Sequence, residues 1–197
     1  MPYTIEPAST DDVGLLMSLR TEAEDWLSAQ GSDQWSDRET GAAAISKWHQ
    51  AIEEGRTWLI RDTARDISLG TVSRGPVDKD FWSAGDRPEA ALYLYKLIVR
   101  RSSAGLGIGS LVIDWACRLA SLEGREWVRL DCWRTATGLH RYYQSLGFEH
   151  VRTEAPAHRK SGWLGQRPSH LTLNKEALAP AGSRPRSASA DGVRVRA

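Results

Sequence analysis

The sequence predicts an α/β (α+β) fold: one mixed sheet with helices packed on its faces. Three observations carry that expectation. Apolar patterns of strand and helix period follow one another as strand, two helices, three strands, helix, strand, helix and two strands. The run Ala91–Val99 (ALYLYKLIV) is rich in β-branched and aromatic residues and reads as the strongest strand. A turn with three glycines then joins that strand to an amphipathic helix.

Tyr3 to Glu6 reads as a short first strand. Ser9 with Asp12 gives an S-x-x-D helix start, followed by Val13, Leu16, Leu19, Ala23, Trp26 and Leu27 at helical spacing. That helix ends near Gln30 and Gly31, and the polar stretch Gly31 to Glu39 reads as a loop. A second helix is expected over Thr40 to Glu54. Two strands, Thr57 to Arg61 and Ile67 to Ser73, precede a Pro- and Gly-bearing loop from Gly75 to Pro88. Within Ala91–Val99, the alternation puts Tyr93, Tyr95, Leu97 and Val99 on one face. It puts Leu92, Leu94, Lys96 and Ile98 on the other. The helix after the glycine turn shows a stripe of Leu111, Trp115, Leu119 and Leu122 and stops at Gly124. Trp127 to Trp133 reads as a strand and Leu139 to Leu146 as a short helix closed by Gly147. Phe148 to Arg152 and His170 to Leu173 read as the last strands, with an irregular loop from Pro156 to Pro168 between them.

A single domain over residues 1–178 is expected, followed by a disordered tail over 179–197 whose Ala, Pro, Gly, Ser and Arg cannot bury a core. The 197 residues are 41% hydrophobic and 26% charged, with a formal net charge of +1. So even a balance gives no field to attract a polyanion, which argues against nucleic acid as partner. Cys117 and Cys132, the only cysteines, lack metal or redox spacing and read as small apolar residues in a reducing, cytoplasmic setting. No metal is expected. The start MPYTIEPASTDD lacks a basic, then apolar, leader pattern, and no run of roughly 18 apolar residues suggests a membrane span.

The segment Leu97 to Ala116 (LIVRRSSAGLGIGSLVIDWA) carries the most chemistry. Gly105, Gly107 and Gly109 alternate just before a helix. Glycine permits positive φ and close approach of a ligand, while first-turn amides lack helical partners and sit at the positive end of the dipole. Together these features suit a pyrophosphate. A dinucleotide G-x-G-x-x-G fails at its third glycine, since Ser110 follows Gly107 by three and Val112 follows Gly109 by three. A Walker A loop fails because no lysine follows the glycines. A CoA diphosphate cradle and a plain tight turn both remain.

Ala104-Gly105-Leu106-Gly107-Ile108-Gly109 resembles the R/Q-x-x-G-x-G/A signature of the GNAT superfamily of N-acetyltransferases, with Gly107 and Gly109 matching. Ala104 stands where that family usually has Arg or Gln, and Arg100 and Arg101 lie just upstream. Tyr143, four residues before Gly147-Phe148, resembles the family's later segment, although Thr135-Ala136-Thr137 replaces its usual asparagine. The resemblance covers roughly Tyr3 to Asn174.

The resemblance implies a mostly antiparallel sheet of about six or seven strands, helices on both faces, and a V-shaped splay between strands four and five. It implies acetyl-CoA as cosubstrate and direct transfer of its acetyl group to a primary amine of a small molecule or peptide. The cofactor-binding residues it implies are Leu97, Ile98, Val99, Ala104, Gly105, Leu106, Gly107, Ile108, Gly109, Ser110 and Tyr143. Tyr143 is the expected proton donor to the leaving thiolate. Asp131 is a candidate base, though it could equally pair with Arg129; Glu89 and His140 are alternatives. Gln34, Trp35, Trp82 and Trp133 are candidates for the acceptor pocket, with Asp37, Phe81, His158 and Trp163 in the same loops. A monomer or homodimer is compatible with this reading. Two rivals stand beside it: a non-catalytic CoA-binding or interaction module of the same fold, and a toxin that acetylates aminoacyl-tRNA.

Overall fold

The computed structural model describes residues 3–32, 34 and 39–173. β1 is Tyr3–Pro7, and a single 3-10 turn at Thr10–Asp12 leads into α1, Val13–Ala29. The expected helix start is formed: Asp12 accepts the Ser9 backbone N–H at 2.8 Å and its hydroxyl at 2.9 Å. α2 follows at Glu39–Glu53, then β2 at Thr57–Asp62, β3 at Ile67–Gly75 and β4 at Ala91–Val99. The second half contains α3 (Ile108–Leu122), β5 (Trp127–Trp133), α4 (Thr137–Ser145), β6 (Glu149–Thr153) and β7 (Ser161–Pro168).

The seven strands form one sheet in the order β1-β2-β3-β4-β5-β7-β6. Every pairing is antiparallel except β4 with β5, which is parallel. Helices cover both faces, as expected. On one side α3 and α4 bury Ile108, Val112, Trp115 and Tyr143 against Ile60, Leu94, Val128 and Leu130. On the other, α1 and α2 bury Leu16, Leu19, Trp48 and Ile52 against Leu59 and Ile98. Among the described residues no helix is long and apolar enough to cross a membrane.

Three expectations need correction. The last strand is Ser161–Pro168, not His170–Leu173, so it occupies the stretch read as an irregular loop. Gly162, Gly165 and Pro168 lower its local strand propensity, but β5 and β6 pair with it on both edges and supply the missing drive. Leu122 is 75% exposed, while Ile113, Ala116, Cys117 and Ala120 are buried, so the inner face of α3 is rotated and wider than the stripe suggested. The faces of β4 also change over partway along, for a reason given below. The expected tail lies outside the described residues.

Beyond β7 the chain is anchored to α3. Arg167 and Asp114 form an ion pair of 2.8 Å with both side chains fully buried. Asp114 also accepts the Leu173 backbone N–H at 3.0 and 3.1 Å, and Arg167 reaches the Cys117 sulfur at 3.1 Å. Removing one partner would leave a buried charge without compensation. Asp114→Ala is therefore expected to destabilise the fold by about 3–5 kcal/mol in denaturant unfolding. A loss below about 1 kcal/mol would show that Arg167 finds water on its own.

Candidate active site

The site begins where the sheet comes apart. β4 pairs with β5 only through Ala91, Leu92 and Tyr93, which face Trp127, Val128 and Arg129. From Leu94 to Val99 the β5-facing edge of β4 has no ladder partner, and β5 continues beside β7 instead. The closed end is held by Arg129, whose guanidinium donates to the Tyr93 hydroxyl at 3.3 Å and to Gln166 at 3.2 Å. It also lies 4.4 Å from the centroid of the Trp82 ring. Arg129 thus does not pair with Asp131, which accepts a hydrogen bond from Ser161 instead.

β4 bulges as it leaves. Tyr95 faces Ser73 and Ile98 faces Thr71, so β4 carries one residue more than β3 between those pairs. Lys96 takes up the extra length at φ +52. The faces downstream are exchanged as a result. Ile98 packs with α1 and α2, while Leu97 and Val99 pack on the α3 side with Leu92 and Leu94. Strict alternation would place them the other way round.

The glycine turn lies at the open end of β4. Gly105 and Gly107 adopt φ +82 and +74, and a Cβ at either would meet nothing within 4 Å. α3 starts at Ile108, so the amides of Ile108 and Gly109 belong to a first turn that has no helical acceptors. A Cβ on Gly109 would stand 2.0 Å from the Tyr142 hydroxyl, which therefore lies against this first turn. Glycine is required there for close approach rather than for φ. Such open, left-handed backbone over a helix N-terminus fits a diphosphate. Ala104, exposed, contributes no charge, and neither neighbouring arginine is directed to the turn. Arg100 donates to the Ser68 carbonyl at 2.9 Å, and Arg101 stacks 3.9 Å over Trp26 on α1.

Tyr143 projects from α4 onto the α3 side of β5. It is only 7% exposed and packs edge-on against Phe148 at 5.5 Å. Burial pushes its hydroxyl pKa far above the ordinary tyrosine value. Asp131 lies on the opposite face of β5, where burial raises its carboxyl and Ser161 and Arg159 partly offset that rise. Proton-handling groups therefore flank the end of β5 from both sides.

Two loops close the α1/α2 side. Arg159 bridges Asp78 and Asp80 at 2.8 Å each and stacks 4.4 Å over Phe81. Arg152 holds Asp86 at 2.7 and 2.9 Å, and that guanidinium, first of several causes, draws the Asp86 carboxyl down to about 2. Of the acceptor-pocket candidates, Trp133 is half-buried at the end of β5, with Lys160 Nζ 5.8 Å from its ring. Gln34 is half-buried in the α1–α2 connection. Trp82 is 4% exposed and packs between Tyr93 and two arginines, so it stiffens a wall and offers little surface. Trp163 is likewise buried, with His140 stacked on it at 4.8 Å and His150 at 5.2 Å. Glu89 is exposed at the closed end. Trp35 and Asp37 lie outside the described residues. A surface depression of about 550 Å³ also opens at the closed end, among Glu54, Arg56, Arg74, Tyr93 and Arg125. Among the described residues no group of three His, Cys, Asp or Glu side chains is placed to hold a metal ion.

Sequence reasoning missed Lys96 and Tyr95. The bulge has no Gly, Asn or Asp to announce it, and a lone lysine in an apolar run was the one available signal.

The chain is similar to known proteins in sequence and in fold. Residues 20–148 match the acetyltransferase (GNAT) family. The chain is 28% identical over 151 residues to YesJ of Bacillus subtilis, described as an uncharacterized N-acetyltransferase, covering 76% of this chain and 83% of YesJ. A GNAT-family acetyltransferase of Listeria monocytogenes superposes with a TM-score of 0.64 at 23% identity, over 84% of this chain and 94% of that one. The PaiA N-acetyltransferase of Thermoplasma acidophilum, solved in complex with coenzyme A, superposes with a TM-score of 0.61 at 16% identity, over 85% and 99%. With a splayed β4–β5 pair, a glycine turn at its open end and a family match over most of its length, this chain belongs to the acetyltransferase (GNAT) family.

Proposed function

We propose that the protein moves an acetyl group from acetyl-CoA to the primary amine of a small molecule or peptide, by direct transfer in a ternary complex. One observation carries this reading: the β4 edge left without a partner after Tyr93 runs directly to the glycine turn that opens α3. A linear donor can be held along that line, with its diphosphate at Gly105–Ser110 and its pantetheine arm along Leu97–Val99. When bound, acetyl-CoA supplies the activated acetyl thioester. The PaiA protein, of similar fold, was solved in complex with coenzyme A, which supports a CoA thioester as donor. The buried free thiols of Cys117 and Cys132 fit a reducing, cytoplasmic compartment.

The protein's own groups take the remaining roles. The backbone amide of Val99, on the unpaired edge of β4, stabilises the developing oxyanion. Asp131 takes the proton of the incoming amine, directly or through water, since burial makes it a stronger base than an ordinary carboxylate. Tyr143, kept protonated by burial, stands ready as donor to the leaving sulfur.

Calorimetric titration with acetyl-CoA, beside NADH as a control, tests the donor. Micromolar binding of acetyl-CoA alone supports the proposal, and absence of binding overturns it. Gly107→Glu should abolish that binding, because glutamate is strained at φ +74 and brings its own carboxylate to the helix N-terminus. Normal affinity in this variant would place the diphosphate elsewhere.

Tyr143→Phe should leave acetyl-CoA affinity intact and lower kcat by about tenfold or more. An unchanged kcat assigns the donor role to another group. For Asp131, the raised pKa means that the active carboxylate forms only above the ordinary range near about 4. Plots of log kcat/KM should therefore rise with pH through a limb displaced upward from that range, and Asp131→Asn should remove the limb. A limb that survives in the variant belongs to a different base.

A further inference from the structure

α4 carries two tyrosines in succession, and they take up different positions. Tyr143 is buried against Phe148. Tyr142 is 40% exposed, with its ring 5.6 Å from that of Tyr143 and tilted by 59°. Its hydroxyl ends on Gly109: an added Cβ there would stand 2.0 Å from the oxygen and 3.2 Å from ring carbon Cζ. A helical Cα–Cβ bond leans towards the helix N-terminus, so the hydroxyl lies on the N-terminal side of Gly109. That is the side on which the Ile108 and Gly109 amides lack helical acceptors, since the α-helical ladder opens with Leu111 donating to the Gly107 carbonyl at 3.0 Å. Ala104 offers the turn no side-chain donor, and Arg100 and Arg101 are engaged by the Ser68 carbonyl and the Trp26 ring. Burial raises the Tyr142 pKa, which keeps the hydroxyl protonated as a donor at neutral pH.

Resting on the acetyltransferase reading above, we infer that Tyr142 binds the donor: its hydroxyl donates a hydrogen bond to a diphosphate oxygen of acetyl-CoA held on the first turn of α3. A hydrogen bond from a hydroxyl to an ionised oxygen is shorter and stronger than one between neutral groups, and it adds to what the backbone amides give. The same geometry accounts for Gly109. Its missing Cβ is the seat of the Tyr142 hydroxyl, whereas Gly105 and Gly107 are glycine for their positive φ. α4 thereby reaches across to the turn that opens α3.

The test is calorimetric titration with acetyl-CoA, CoA and 3′-dephospho-CoA, which share the diphosphate and require no acceptor. Tyr142→Phe should leave the thermal unfolding midpoint unchanged and raise all three Kd values by a similar factor of about ten. Gly109→Ala should cause a loss of the same size, because its methyl displaces the hydroxyl. Added to Tyr142→Phe it should cost little more, since Cζ stands 3.2 Å from that methyl. Wild-type affinity in Tyr142→Phe overturns the inference. So does a loss that disappears with 3′-dephospho-CoA, which puts the hydroxyl at the 3′-phosphate, or one confined to acetyl-CoA, which puts it at the acyl end. Losses that add in the double variant overturn it as well, because the ligand and not Tyr142 would then face Gly109. A wild-type protein that binds none of the three overturns the acetyltransferase proposal itself.

Discussion

The constraint on which the structure turns is that β4 can pair with β5 for only three residues. A parallel pair normally continues until one strand ends. Here both strands continue past Tyr93 and Arg129, but β5 follows β7 and β4 follows β3. The bulge at Lys96 separates the two paths, since an added residue bends the strand and increases its twist. Nearly every feature of the site depends on this divergence. It exposes the Leu94–Val99 edge, aims that edge at the glycine turn, and turns Ile98 towards α1 while Leu97 and Val99 remain against α3.

How much of this was legible depends on whether a feature was local. The glycine turn could be read because positive φ at Gly105 and Gly107 and the contact between Gly109 and Tyr142 each demand glycine at a fixed offset from a helix start. Tyr143 could be read because Gly147-Phe148 fixes its register on a short helix. Lys96 at φ +52 could not, since its conformation is imposed by the pairing with β3 and by Trp48 beneath the side chain. β7 was hidden for a similar reason, because two neighbouring strands impose it on a Gly- and Pro-bearing segment. The tryptophans misled in the opposite sense. Trp82 and Trp163 stand in loop-like sequence, yet stacked arginines and histidines bury them.

The two buried guanidiniums are handled differently, and the contrast separates their tasks. Arg167 meets a carboxylate, Asp114, in a pair that joins the end of the sheet to α3. Arg129 is also buried but is held by Gln166, the Tyr93 hydroxyl and the Trp82 ring, which are neutral. A buried charge without a counter-ion costs stability unless hydrogen bonds and aromatic faces take up its field. That cost falls where β4 and β5 are joined, in a cluster that also includes the loop held by Arg152 and Asp86. Position is thereby secured at the one place from which the two strands diverge.

The short β4–β5 ladder also leaves the sheet as two antiparallel runs that meet, as at a hinge line, over three residue pairs. α3 packs against both runs, so their opening angle is held by a shared core as well as by the pairs from Ala91 to Tyr93. The free arm from Leu94 to Val99 is about 20 Å long at strand rise, so a rotation of about 3° at the hinge moves its tip by about 1 Å. A misplacement of that size is enough to cost on the order of a hundredfold in a reaction that depends on alignment. The leverage runs from Arg129, Tyr93 and Trp82 outward, so residues remote from the chemistry set the opening angle within which it occurs.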